Sequence, residues 1–287
     1  MNSRVALKLL LATLGLAAAA WAQNPGPPLT LTRSCEHRLV SAAVGDSYII
    51  QIRLPEKFDP AKTVYPVLYV LDGDYWFGAA SDIATYLTMV KESPAMIVVG
   101  IAYGGSRRDW YQKRARDFTP RPRFDDDRAT LPLAGHAGEF QRFLADELFP
   151  FIEKTYPASS SDRTLAGFSL GGLFALHTLF TRPELFQHYI VLAPAVDWDR
   201  EQIRVTEAAF HARNTRLAAT VFDTHGDRDP LQNAASWQDF DRVIVSRSYE
   251  GLRWTSHLFP DETHASIYPV GLTRGLKTIH APAPAAK

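Results

Sequence analysis

One cysteine, Cys35, is all the thiol this 287-residue chain contains. A single thiol closes no intramolecular disulfide and builds neither a multi-cysteine zinc site nor an iron–sulfur cluster, so the chemistry must come from other side chains. Net charge is missing as well, with 31 Lys and Arg against 31 Asp and Glu. That balance excludes the broad basic footprint of sequence-independent nucleic-acid binding. No two of the nine histidines stand four residues apart around a glutamate, so a helix-borne zinc hydrolase site is unsupported, and no metal or cofactor is expected. Beyond the first 22 residues no run of about 18 uncharged apolar residues occurs, so no later segment is expected to cross a membrane. Disorder is excluded by what remains, since 46% of positions are hydrophobic and 22% charged.

At the start of the chain, Arg4 and Lys8 precede an apolar run from Leu9 to Ala20 that ends in Ala20-Trp21-Ala22. A basic start, a short apolar run and a small-x-small end predict a signal peptide over 1–22 and a periplasmic or secreted mature protein. Residues 23–36 read as an extended leader, 37–280 as one domain without repeats or linkers, and 281–287 as a loose Ala/Pro tail.

Within 37–280 the pattern opens with a hairpin, His37–Ala43 and Tyr48–Leu54, turning around Gly45-Asp46. Strands are then expected at 64–71, 95–103, 163–168, 188–192, 218–223 and 253–259. Helices are expected at 79–91, 139–156, 170–180, 200–213, 237–248 and 267–279. Such alternation predicts an α/β fold, a mainly parallel central sheet with helices on both faces and an antiparallel opening hairpin. Sites in such sheets form at the carboxyl ends of strands.

The strand expected at 163–168 ends in Gly167-Phe168-Ser169-Leu170-Gly171-Gly172 and a helical run follows at once. This is G-x-S-x-G between a strand and a helix, and Ser169 is the candidate nucleophile. Side chains two before and two after the serine would collide with the neighbouring strand and helix, which accounts for the flanking glycines. A serine hydroxyl needs a base, and the base needs an acid to hold its tautomer. Downstream, Thr224-His225-Gly226-Asp227-Arg228-Asp229-Pro230 offers the acid, with Asp229 favoured by spacing and Asp227 the alternative. His264, in the loop beyond the last expected strand, is the candidate base. His225 is a candidate supporting group beside the acid turn. The strand at 64–71 runs into Asp72-Gly73-Asp74-Tyr75-Trp76-Phe77. A loop there can present a second oxyanion donor opposite the Leu170 amide, the Asp74 amide first and Tyr75 second. The aromatics Tyr75, Trp76 and Phe77 are either a pocket wall or core plugs, and Trp198 follows another strand end and is a candidate pocket residue.

Four segments together, Tyr65–Asp74, Arg116–Pro120, Gly167–Gly172 and Glu262–Ser266, resemble the esterase-D-like esterases of the α/β-hydrolase superfamily. Within that group the look is nearest to the esterases of ferric-enterobactin and salmochelin-type siderophores. The resemblance implies an α/β-hydrolase fold, a serine nucleophile and cofactor-free hydrolysis of a small-molecule carboxylic ester. The Ser-His-Asp triad is the reading of this chain's own residues, since several siderophore esterases of this kind have glutamate at the acid position where this chain offers Asp229. Acyl transfer to an alcohol is the alternative within the same machinery, and a catalytically silent binding protein is the alternative outside it. Residues 104–128 read as a long loop over the sheet's carboxyl edge, carrying Arg107, Arg108, Lys113, Arg114, Arg116, Arg121 and Arg123. With Trp110 and Tyr111 these make either a basic, aromatic rim for an anionic ferric catecholate, Arg107 and Arg108 foremost, or a solvated charge run paired within itself.

Overall fold

The computed structural model describes residues 30–61, 63–122 and 130–281. The expected signal peptide, nearly all of the tail, half of the leader (23–29) and the end of the 104–128 segment fall outside them. The compact unit of interest starts at Arg33.

Eight strands form one sheet: β1 (Ser34–Ser41), β2 (Asp46–Arg53), β3 (Tyr65–Val70), β4 (Ile97–Ala102), β5 (Ala158–Phe168), β6 (His188–Leu192), β7 (Arg216–Gly226) and β8 (Glu250–Phe259). Their order across the sheet is β1-β2-β4-β3-β5-β6-β7-β8. The β1–β2 and β2–β4 pairs are antiparallel and all others parallel. The central strands β4 and β6 are almost wholly buried, as strands covered on both faces must be, whereas the edge strand β1 alternates. The expected α/β class and opening hairpin are what the chain adopts.

The helices are α1 (Gly73–Met89), α2 (Arg107–Phe118), α3 (Ala137–Arg142), α4 (Phe149–Thr155), α5 (Leu170–Thr181), α6 (Trp198–His211), α7 (Ala234–Arg247) and α8 (Ile267–Ile279), with a π-helical stretch, Phe143–Leu148, joining α3 to α4. Helices α1 and α8 pack together on one face of the sheet, while α2, α3, α5 and α6 share the other. The chain moves outward from β3 to β4 and then returns to place β5 on the other side of β3. The carboxyl ends of β3 and β5 therefore flank the switch in strand order, where an open α/β sheet forms its crevice.

Two sequence expectations are corrected. Helix α1 begins at Gly73 and not near residue 79, because Asp72 takes a left-handed turn (φ 54°, ψ 46°) that launches the helix directly from β3. The first half of the supposed 104–128 loop is α2, closed at its start by a reciprocal capping box in which Ser106 Oγ accepts from the Asp109 amide at 3.2 Å and Asp109 Oδ2 accepts from the Ser106 amide at 3.1 Å.

Candidate active site

Ser169 stands at the β5–α5 junction with φ 60° and ψ −117°, a backbone conformation that costs energy for any residue with a Cβ. Its neighbours hold it there. The Ser169 amide donates to the Leu192 carbonyl at 2.9 Å and the Ser169 carbonyl accepts from the Ala195 amide at 3.1 Å, tying the turn to the end of β6. A Cβ on Gly167 would sit 2.2 Å from the Gly171 carbonyl oxygen, and one on Gly172 would sit 3.0 Å from Pro194 Cα. The expectation for Gly171 is adjusted, since a Cβ there meets nothing closer than Leu71 at 3.4 Å. The crowding therefore falls on Gly167 and Gly172.

His264 follows β8 in a loop laid against the end of β7. A Cβ on Gly226 would come within 2.3 Å of the Glu262 carbonyl oxygen, and the Arg228 amide donates to that same oxygen at 3.0 Å. His264 Nδ1 lies 2.6 Å from Asp229 Oδ2, with the Asp229 side chain wholly buried and the His264 ring 12% exposed. A carboxylate oxygen only accepts, so Nδ1 carries the proton and Nε2 keeps a free lone pair. The other Asp229 oxygen accepts from the Leu231 and Gln232 amides at 2.8 and 3.0 Å. Asp227 points elsewhere, its Oδ1 accepting from the Asp261 amide at 2.7 Å. Of the two acids left open by spacing, Asp229 is the one in contact with His264.

His225 is fully buried behind this pair. Its Nδ1–H donates to the Gly226 carbonyl at 2.8 Å and its Nε2 stands 4.0 Å from Asp229 Oδ2. Burial lowers its pKa, which keeps the ring neutral beside the acid.

Ser169, Leu170 and His264 border one cavity of about 630 Å³, in the size range of small-molecule sites. Tyr75 and Trp76 line it, while Phe77 is buried beneath Gly100 as a core plug. Trp76 stacks on Tyr268 at 3.8 Å between ring centroids and 9°, and Tyr75 sets its ring edge-on to Trp110 at 4.6 Å. Trp198 also lines the cavity, fixed by an Nε1–H bond to the Arg121 carbonyl at 3.1 Å. The Tyr75 amide is already given to the Asp72 carbonyl at 3.0 Å. Asp74 is in the first turn of α1, where amides have no helical acceptor, and its carboxylate is turned away to the Tyr103 and Gly104 amides at 2.8 and 2.7 Å.

The basic segment divides sharply. Arg114 forms a two-pronged pair with Asp72 at 2.8 and 2.9 Å and is only 4% exposed. Arg116 binds Asp117 at 2.6 Å and Asp46 at 2.8 Å, Lys113 also reaches Asp46, and Arg121 pairs with Asp199. Only the Arg116–Asp117 pair is internal to the segment; Asp72, Asp46 and Asp199 lie outside it, so these four cations tie the segment to the rest of the fold through partly buried pairs and form neither a solvated run paired within itself nor a free basic rim. Arg107 lines the cavity and has no ion pair among the described residues, whereas Arg108 borders a separate surface hollow with Gln112 and Leu133. Asp197 and Gln232, which the sequence reading did not single out, also line the cavity, each just beyond a strand end. The strand-end rule would have pointed to both. Among the described residues no cluster of three His, Cys, Asp or Glu is placed to hold a metal ion.

Residues 41–248 match the family model described as "Putative esterase". The ferri-bacillibactin esterase BesA of Bacillus subtilis is 32% identical over 235 residues, covering 76% of this chain and 80% of that one. The siderophore enterobactin esterase of Emericella nidulans is 31% identical over 201 residues, 66% of each chain. Among solved structures, the BES protein from Bacillus cereus superposes with a TM-score of 0.80 at 26% identity, covering 90% of this chain and 99% of that one. The chain belongs to this esterase family and has the α/β-hydrolase fold.

Proposed function

We propose that the protein is an exported serine esterase that opens the ester bonds of a siderophore through an acyl-enzyme. The observation that carries the catalytic part is the 2.6 Å contact between His264 and the buried Asp229 at the edge of the cavity that also holds the strained Ser169 turn. Nε2 of His264 takes the Ser169 proton as Oγ attacks the ester carbonyl, forming the C–O bond to the enzyme. The tetrahedral oxyanion is received by the Leu170 and Asp74 amides, at the N-terminal ends of α5 and α1. Collapse expels the alcohol, which takes its proton from His264. Water, deprotonated by the same nitrogen, then attacks the acyl-enzyme, returning Ser169 and releasing the acid. Asp229 holds His264 in the tautomer this sequence requires and stabilises the imidazolium.

The siderophore part rests on the named activities of the two relatives and on the wall of the cavity. Arg107, without an ion pair among the described residues, offers a cation at the cavity that Tyr75, Trp110 and Tyr111 also line, a surface suited to an anionic, aromatic ferric catecholate. The basic start and short apolar run over 1–22 support export of the mature chain to the periplasm or medium.

Purified protein is expected to hydrolyse p-nitrophenyl butyrate, to be labelled by a fluorophosphonate, and to lose at least about a thousandfold in kcat in Ser169→Ala. Labelling of Ser169→Ala, or retention of its turnover, would refute the nucleophile. For the substrate, Arg107→Glu is expected to raise KM for a ferric tris-catecholate lactone with little change for the neutral butyrate, while Arg108→Glu leaves both alone. Equal effects of the two reversals would remove Arg107 from substrate recognition.

A further inference from the structure

A second cavity, of about 260 Å³, lies where the end of β2 meets the last turns of α1, and it shares no lining residue with the active-site cavity. Its wall is apolar, made by Ala84, Met89, Met96 and Val98, and Arg53 also lines it. Arg53 is the last residue of β2 and only 6% exposed, and its Nε and Nη1 are buried without a hydrogen-bond partner. Among the described residues the one carboxylate in ion-pair range is Asp82, 3.7 Å from Nη1, beyond hydrogen-bond reach and itself 68% exposed to water. Glu56, also at this cavity, is already engaged by Arg33 at 3.4 Å, and Lys57 and Lys91 add further positive charge.

A guanidinium cannot answer burial by giving up its proton, as a lysine can, so a buried arginine calls for an anion. Among the described residues no carboxylate is hydrogen-bonded to Nε or Nη1 of Arg53, and the nearest, Asp82, stays 3.7 Å away at the solvent side. A planar carboxylate is the group that matches it. The surrounding methionine and aliphatic surface calls for an apolar body attached to that carboxylate, and the volume, just under the roughly 300–1,000 Å³ of drug-sized sites, limits that body to a short chain or single ring. We propose that this cavity binds a small monocarboxylate with an apolar tail, its head on Arg53 and its tail between Met89 and Met96. The site is independent of the esterase reading.

The methionine count makes the test direct. The chain has three methionines, Met1, Met89 and Met96, so two of the three methyl groups are at this cavity. In the full chain labelled with [methyl-¹³C]methionine, octanoate is expected to shift the Met89 and Met96 signals saturably, with Kd on the order of 1 mM or tighter, and to leave Met1 unmoved. Octanol, with the same tail and no charge, should bind at least about tenfold more weakly. Arg53→Leu should weaken octanoate by a similar factor, and Ala84→Leu should abolish the shifts by filling the cavity while leaving Arg53 in place. Should Arg53→Leu fail to fold, the octanol comparison and Ala84→Leu decide. Octanoate leaving both methyls unmoved, octanol binding as well as octanoate, or unchanged binding in Ala84→Leu would each overturn the proposal.

Discussion

Asp227 and Asp229 lie two residues apart in one turn, and composition and spacing treat them nearly alike. What separates them is the direction of each carboxylate. Asp229 spends one oxygen on the Leu231 and Gln232 amides, a local turn that aims the other at His264, whereas Asp227 is spent on the Asp261 amide. Asp229→Asn is therefore expected to lower kcat for p-nitrophenyl butyrate by roughly 10³–10⁴, because an amide NH₂ facing Nδ1 favours the wrong tautomer. Asp227→Asn keeps an acceptor for the Asp261 amide and should change kcat by no more than about threefold. A large loss in Asp227→Asn with a mild one in Asp229→Asn would reverse the assignment. The same limit explains Arg107 and Arg108: consecutive residues on a helix point about 100° apart, so the stretch marks a basic segment without telling which guanidinium faces the cavity. The nucleophile and base were readable because each is tied to a feature that sequence displays directly, the crowded glycine turn for Ser169 and the position after the last strand for His264.

At the level of elements, legibility followed hydrophobic periodicity. Helix α8 and β6 lie at the expected residues, 267–279 and 188–192, because their buried faces are apolar and regularly spaced, while the two arms of the opening hairpin lie one to three residues earlier than expected. The sequence of helix α2 reads as loop for a physical reason. Its buried face carries Arg114, Arg116 and Asp117, so a polarity count sees a solvated segment where the structure has a buried ionic layer. The Ser106-x-x-Asp109 box was the available signal of its start. The expected start of helix α1 is late because Asp-Gly reads as a turn, and the turn here occupies one residue before the helix begins. These two elements meet through Asp72 and Arg114, which join the end of β3 to α2 beside the cavity. Asp72→Asn is expected to destabilise the fold by about 3–5 kcal/mol, since it strands the buried Arg114 charge. The double variant Asp72→Asn/Arg114→Met should recover a substantial part. Urea midpoints of the wild type, both single variants and the double variant measure this, and strict additivity of the single effects would contradict the coupling.

Across the whole molecule, burial of titratable groups gives stability two opposing dependences on pH. His177 and His280 are pushed down to about 4 by desolvation, each with a ring nitrogen that has no hydrogen-bond partner. Both are neutral in the folded chain and take up protons near 6.5 once it unfolds. The unfolded state thus binds more protons over that interval, and stability is lost as pH falls from about 6.5 towards about 4, by at most about 1.4 kcal/mol per pH unit for each group. Asp223 acts in the opposite direction. It is fully buried on β7, one oxygen accepting from Trp237 Nε1 at 2.8 Å and the other without a partner, and desolvation raises its pKa well above the ordinary 3.8. The folded chain holds that proton where the unfolded chain releases it, so this contribution is complete below about 3.8 and is lost as pH climbs towards the raised folded value. Unfolding midpoints measured from pH 4 to 9 should therefore fall away on both sides of a maximum. His177→Leu should flatten the acid side between pH 4 and 6.5. Asp223→Asn, which still offers Trp237 an acceptor, should flatten the decline above the maximum and steepen the rise on the acid side, where the loss of the Asp223 contribution otherwise offsets part of the histidine trend. Identical curves for Asp223→Asn and the wild type would mean that the carboxyl is ionised in the folded chain, and that its buried, unpartnered oxygen has found compensation elsewhere.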